Sequence, residues 1–239
     1  MALAEHTTKA FDYDLQDLAR MIAEMGGLAE KQIVEVIEAL TRRDLERARR
    51  SVAADAAIDS LQRSIEERAI ETIARRQPMA IDLRGVVGVL RISNDLERIG
   101  DLAKNIGKRV IALEGGDIAR RSMRGVRHMA SLALVQLRDA LDSYARQDLV
   151  KAATVRARDE EVDRMYTSMF RELLTYMMED PGTIASGLHL LFCSKNIERM
   201  GDHTTNIAES VQYIVAGYAL PNERGRSAVS GMIPISAGS

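Results

Sequence analysis

Apolar residues recur along this chain at spacings of three and four with few alternating runs, a pattern that predicts helices and almost no strands. In the first predicted helix, Leu15, Leu18, Ile22, Met25, Ala29, Val36 and Leu40 form one heptad-like stripe. A second helix is predicted from about Asp44, a suitable N-cap, to Arg76, ending before Pro78. A third runs from about Ile81 to Leu113 and stops at Gly115-Gly116, a C-terminal glycine signal. Its stripe is Val89, Ile92, Leu96, Ile99, Ala103, Ile106 and Val110.

The plan then restarts. Met25, Ala29, Gln32, Asp44 and Ala48 find equivalents in Met129, Ala133, Gln136, Asp148 and Ala152, at a constant offset of 104. Pro78 corresponds to Pro181, and the segment NDLERIGDLAKNI, Asn94 to Ile106, returns at an offset of 101 as KNIERMGDHTTNI, Lys195 to Ile207. The loop between the second and third helices is therefore shorter in the second half. The expected architecture is all-α: two tandem three-helix bundles, residues 1–116 and 117–219, with the split near Glu114–Ala119. Helices of about thirty residues would be roughly 45 Å long, giving an elongated molecule. Residues 220–239 are rich in Ser, Gly and Pro without periodicity, and read as a flexible tail.

Acidic residues punctuate this frame in a fixed way. Glu97 and Asp101 lie four apart and each follows a stripe member by one residue, so they share a helix face about 100° from the core. Glu198 and Asp202 repeat this beside the stripe Ile197, Met200, Thr204, Ile207, Val211 and Ile214. Asp55 with Asp59, and Asp159 with Asp163, stand similarly beside Ile58, Leu61 and Ile65 and beside Val162, Met165 and Met169. Like charges one turn apart cost about 0.2–0.5 kcal/mol per pair unless something positive lies between them. In antiparallel neighbours, flanks that both follow the stripe by one residue face the same groove or both turn away from it. Convergence would line one outer groove of each bundle with four carboxylates, an all-oxygen donor set suited to Mg, Mn or Fe. Asn94, Asn105 and Asn206 are candidate carbonyl ligands, and Arg98 and Arg199 candidate carboxylate-orienting residues. The alternative reading is a set of solvated charges beside a core stripe. Gly100 and Gly201 have two readings: close helix packing, or room for a cluster.

The remaining chemistry narrows the field. Lys+Arg 33 against Asp+Glu 35 gives a net charge of −2 and no basic field for nucleic acid, while aromatics at 4% with no Trp leave few stacking platforms. The single cysteine, Cys193, cannot close an internal disulfide and fits a reducing compartment; it falls on the core stripe. No membrane span or signal peptide is expected. His203 is expected at a surface or edge rather than as a ligand, His189 against the bundle, and Met165, Met169, Met177 and Met178 as core filler. No Glu-x-x-His di-iron element, phosphate loop or nucleophile elbow is present.

Two three-helix repeats, each ending in L/I-E-R-I/M-G-D-x-x-x-N-I, resemble the PhoU family of bacterial phosphate-transport regulators, over nearly the whole chain to about Tyr218. The resemblance implies a cytoplasmic, non-enzymatic, commonly dimeric protein. It implies contact with the ATPase subunit of the phosphate ABC transporter and with a sensor histidine kinase whose signalling it damps. It also implies metal at the E(D)-x-x-x-D elements, here Asp55, Asp59, Glu97, Asp101, Asp159, Asp163, Glu198 and Asp202. Two alternatives compete: a metal-dependent hydrolase on a helical scaffold, which needs a pocket and a general base, and a metal-free scaffold whose acidic grooves take basic partner helices.

Overall fold

The computed structural model describes residues 2–113 and 120–217. The predicted split at Glu114–Ala119, the Gly115-Gly116 stop and the tail from residue 220 lie outside the described residues. Those residues form six α-helices and one short 3₁₀ turn, Pro181–Thr183. The helices are α1 (Ala2–Arg42), α2 (Leu45–Arg76), α3 (Ile81–Ala112), α4 (Arg120–Arg146), α5 (Leu149–Glu179) and α6 (Ile184–Ala216). With 27 to 41 residues each, they extend about 40 to 60 Å.

Local chemistry sets the turns. Asp44 holds an extended backbone and accepts from Arg47 N at 2.9 Å, and Asp148 does the same for Lys151 N at 3.0 Å, so both first hairpins end in a carboxylate N-cap. The third helix of the second unit is entered differently, through Asp180, which accepts from Gly182 N ahead of the 3₁₀ turn.

Helices α1, α2 and α3 pack against one another, as do α4, α5 and α6, with each predicted stripe turned inward. Every member of the α3 stripe is buried, and so are Ile197, Met200, Thr204, Ile207 and Val211 of α6. Leu15, Leu61, Met165 and Ile214, at the margins of their stripes, are half-buried. The reading of Met178 as core filler does not hold: it is 76% exposed, and with Phe170 and Leu174 it forms an apolar line at i, i+4, i+8 along α5. Ile184, Leu188 and Phe192 form a second exposed line on α6.

The two units are joined along α3 and α6, with α1 also against α4. Arg84 approaches Gly217, Gly88 faces Ile214, Arg91 lies over the Tyr213 ring at 4.3 Å, and Arg109 covers Phe192 at 4.2 Å. Numbers rising on one helix while falling on the other make the pair antiparallel. At Gly88 a Cβ would collide with the Ile214 side chain, so glycine lets the two helices meet there without displacing it. Cys193 is buried, and burial pushes its thiol up to about 12, so it behaves as a small hydrophobe.

His203 departs from expectation. Instead of lying at an open edge it is half-buried in this seam, its Nδ1 2.9 Å from Asp95 Oδ1 of the other unit. Asn206 donates its amide Nδ2 to the same Asp95 oxygen at 3.2 Å, so this candidate groove residue also reaches across the seam. The stripe rule locates a side chain relative to its own bundle; it carries no information about a second bundle packed behind it.

Candidate cation grooves

In the first unit, the α2 and α3 flanks converge. Asp55 is buried, and its two oxygens are both engaged: Oδ1 accepts from Gln32 Nε2 at 3.2 Å and Oδ2 from Lys104 Nζ at 2.6 Å. Lys104 also donates to Asp101 Oδ1 at 3.0 Å, so one ammonium links a carboxylate of α2 to one of α3. Arg98 flanks the groove, 3.5 Å from Glu97 Oε2 and 3.7 Å from Asp101 Oδ2. Burial pushes the Glu97 carboxyl up, Arg98 opposes this, and the charges of Asp101, Asp59 and Asp55 push it further. The other three acids of the set thus all act on Glu97. Asn94 and Asn105 are exposed on α3.

The second unit repeats the arrangement with one change of cation. Gln136 Nε2 donates to Asp159 Oδ1 at 3.3 Å, as Gln32 does to Asp55. Lys195 Nζ pairs with Glu198 Oε1 at 2.6 Å, and Arg199 is exposed. Burial raises Glu198, its Lys195 hydrogen bond and charge oppose the shift, and Asp202 and Asp159 add to it. Asp163 is pushed up to about 6, first by burial of its carboxyl and then by Asp159, Glu198 and Asp202.

The sign of the pH effect follows. An acid with a raised folded pKa takes its proton on the folded chain first, so acidification through about 6 favours the fold and the charged cluster opposes it near neutrality. Asp163→Asn is expected to raise the thermal midpoint of the metal-free protein near neutrality, with the gain vanishing near pH 4. Asp163 is exposed as a residue although its carboxyl is partly shielded, so solvent screening holds the gain to about 1 kcal/mol or less. Melting curves at the two pH values check this.

Sequence reasoning overlooked four groups here: Gln32, Gln136, Lys104 and Lys195. The signal for the glutamines was present, since both keep the repeat offset. Each is almost fully buried, and each leaves its Oε1 without a hydrogen-bond partner, as Glu198 leaves Oε2. The contacts at Gly100 and Gly201 support the close-packing reading of these glycines. A Cβ on Gly100 would come 3.3 Å from Asp55 Oδ1 and Gln32 Oε1, and one on Gly201 3.3 Å from Asp159 Oδ1 and 3.4 Å from Gln136 Oε1. Tight packing and room for the glutamine–aspartate pair are one requirement.

Among the described residues no three His, Cys, Asp or Glu side chains are grouped tightly enough to hold a metal ion. The donor types are those a hard cation takes. The groups are oxygens, some buried and unpartnered, around a negative groove, which suits an ion such as Mg that keeps several waters and takes one or two carboxylates.

Comparison with known proteins agrees with this doubled plan. The PhoU domain family matches residues 22–110 and 126–211, one copy on each unit. The phosphate-specific transport system accessory protein PhoU homolog of Rhizobium meliloti (strain 1021) is 54% identical over 219 residues, covering 92% of each chain. Its counterpart in Caulobacter vibrioides (strain NA1000 / CB15N) is 48% identical, over 93% of this chain and 96% of that one. The crystal structure of PhoU from Pseudomonas aeruginosa superposes with a TM-score of 0.83 at 40% identity, covering 87% of this chain and 100% of that one. That of the phosphate transport system regulatory protein PhoU from Streptococcus pneumoniae gives 0.82 at 28%, over 88% and 99%. With both repeats matched, the helices superposed and both acidic elements in place, the chain belongs to the PhoU family.

Proposed function

We propose that this protein is a negative regulator of phosphate uptake and of phosphate-starvation signalling. It acts by contact with the ATPase subunit of the phosphate ABC transporter and with a sensor histidine kinase, and it holds Mg, Mn or Fe ions in its acidic grooves. It works in the cytoplasm as a homodimer and catalyses no reaction. Family membership supports the regulatory role, since relatives are named as accessory or regulatory proteins of phosphate transport. No helix among the described residues is long and apolar enough to cross a membrane, which suits an accessory component meeting the transporter from outside the bilayer.

The observation that carries the cation part is that acids of two helices face one groove in each unit, where burial first, and neighbouring carboxylates after it, raise Glu97 in the first and Asp163 and Glu198 in the second. A cation there offsets the repulsion, pins α2 to α3 or α5 to α6, and presents open coordination positions to a partner's carboxylate or to phosphate. The exposed apolar lines on α5 and α6 provide area for protein contact. The hydrolase reading is weaker. A cavity of about 210 Å³ is lined by Ser122, Leu173, Tyr176, Met177, Gly187 and Leu190 among others, and by none of the eight groove carboxylates.

The test is capture of the protein from phosphate-replete cells without chelator, with metal measured on the same sample. The transporter ATPase subunit is expected to co-purify, and the double variant Asp101→Ala/Asp202→Ala to lose its metal. Metal content unchanged in that variant would remove the cation part, and absence of the subunit the regulatory contact.

A further inference from the structure

We propose that the outer face of the α5–α6 hairpin is a docking groove for one helix of a partner protein, an amphipathic helix with Lys or Arg at both ends of its apolar line. This deepens, and rests on, the reading of the protein as one that acts by protein contact. The two exposed apolar lines form one surface. Helices α5 and α6 pack antiparallel about the short turn Pro181–Thr183, and Lys195 of α6 lies over the Tyr166 ring of α5 at 5.2 Å. From that contact α5 continues as Phe170, Leu174 and Met178, while α6 returns as Phe192, Leu188 and Ile184, one turn per step. Met177 against Gly187 keeps the same register near the tip. Phe170 thus stands level with Phe192, Leu174 with Leu188 and Met178 with Ile184, and none of the six is less than 41% exposed. Monomeric proteins rarely leave contiguous apolar surface of this kind uncovered.

The repeat shows that this face is particular to the second unit. At the offsets of 104 and 101 the two phenylalanines correspond to Glu66 and Arg91, and Met178 to Ala74. The hairpin tip changes sign as well, since Arg75 and Arg76 of α2 correspond to Glu179 and Asp180. Both acids are exposed at the negative end of the α5 dipole, and the last turn of α5 has no basic residue. At the other end of the ladder stand Asp163 and Glu198, with Lys195 paired to Glu198. Asp163 and Glu179 are about 16 residues apart on α5, roughly 24 Å along the helix. Apolar rungs between two acidic ends select a helix with apolar residues at i, i+4 and i+8 and a cation beyond each end. A second copy fits less well: a two-fold contact would set the acidic tip of one copy against the acidic tip or the acidic groove of the other.

The experiment is fluorescence anisotropy of labelled synthetic helices titrated with the full chain in chelator, so that the charge of the groove is the chain's own. One peptide of about 18 residues carries leucines at i, i+4 and i+8 with lysines beyond each end; a second has glutamates in place of the lysines. The lysine peptide is expected to bind at least about tenfold more tightly than the glutamate peptide. Leu174→Ser with Leu188→Ser should weaken it about tenfold or more, and Glu179→Lys should narrow the preference. Ile70→Ser, at the Leu174 position of the first unit and likewise exposed, should leave binding unchanged. Melting curves accompany each variant, and Met178→Ser, at the most exposed rung, replaces the leucine pair if that pair unfolds. Equal affinity of the two peptides, or affinity unmoved by the changes on the ladder, would overturn the proposal. So would sedimentation showing a dimer that the leucine pair takes apart, which would make a second copy the occupant. In either case the regulatory reading stands if the transporter ATPase subunit still co-purifies with the wild type, and falls separately if it does not.

Discussion

Ile99→Ala is expected to lower stability by about 3 kcal/mol and to do so in a single transition that involves both repeats. Ile99 is fully buried in the α3 stripe, and truncating a buried isoleucine costs about 2–5 kcal/mol in lost transfer energy and residual cavity. For a chain of this length that corresponds to a fall of roughly 6–12 °C in the melting midpoint. The prediction of one transition comes from the seam. Helices α3 and α6 meet along most of their length, from Arg84 beside Gly217 to Arg109 over Phe192, with the Asp95–His203 pair between. Arg138 adds a 2.6 Å contact to Glu30 between α4 and α1. A unit that lost its partner would expose this face to water, so neither has reason to persist alone. Calorimetry showing two resolved transitions, only one of them moved by Ile99→Ala, would disprove the coupling.

Asp55→Leu is expected to cost about 2–3 kcal/mol, and Asp55→Leu with Lys104→Met to cost less than the two single changes added together. The single change deprives the buried Gln32 amide of one acceptor and Lys104 of its shorter ion pair. Hydrogen bonds to charged groups contribute about 1.5–3 kcal/mol each, and breaking a fully buried pair costs about 3–5. The upper figure does not apply, because Lys104 is 27% exposed and keeps Asp101. Replacing both partners by apolar groups removes the orphaned charge along with the pair. A double-mutant cycle by denaturant unfolding measures the coupling, expected at about 1–2 kcal/mol. Strict additivity would mean that Lys104 does not bridge the helices in solution.

Much of this molecule was readable in the chain. The periods of three and four placed α2 and α3 nearly to the residue, because one face of each long helix must be apolar to be buried and because Asp44 and Pro78 bound α2. The acidic elements were equally legible, since a residue one step after a stripe has a known angle to the core. The direction in which two flanks turn was not, because antiparallel packing permits convergence or divergence; in the first unit the Lys104 bridge from Asp55 of α2 to Asp101 of α3 has them facing one another.

What tertiary structure alone decided lies between the repeats and beneath the grooves. His203 and Asn206 look identical in kind to other polar residues beside a stripe, yet they serve Asp95 of the other unit, because packing of one bundle on another leaves no mark in the period of either. Gln32 and Gln136 sit at core positions as polar residues, and only the approach of Asp55 and Asp159 past Gly100 and Gly201 explains how they are accommodated. Lys104 stood within the repeated motif from the start. That its ammonium fills the space between Asp55 and Asp101 is a matter of distance, and distances between helices are set by how side chains pack, not by their spacing along the chain.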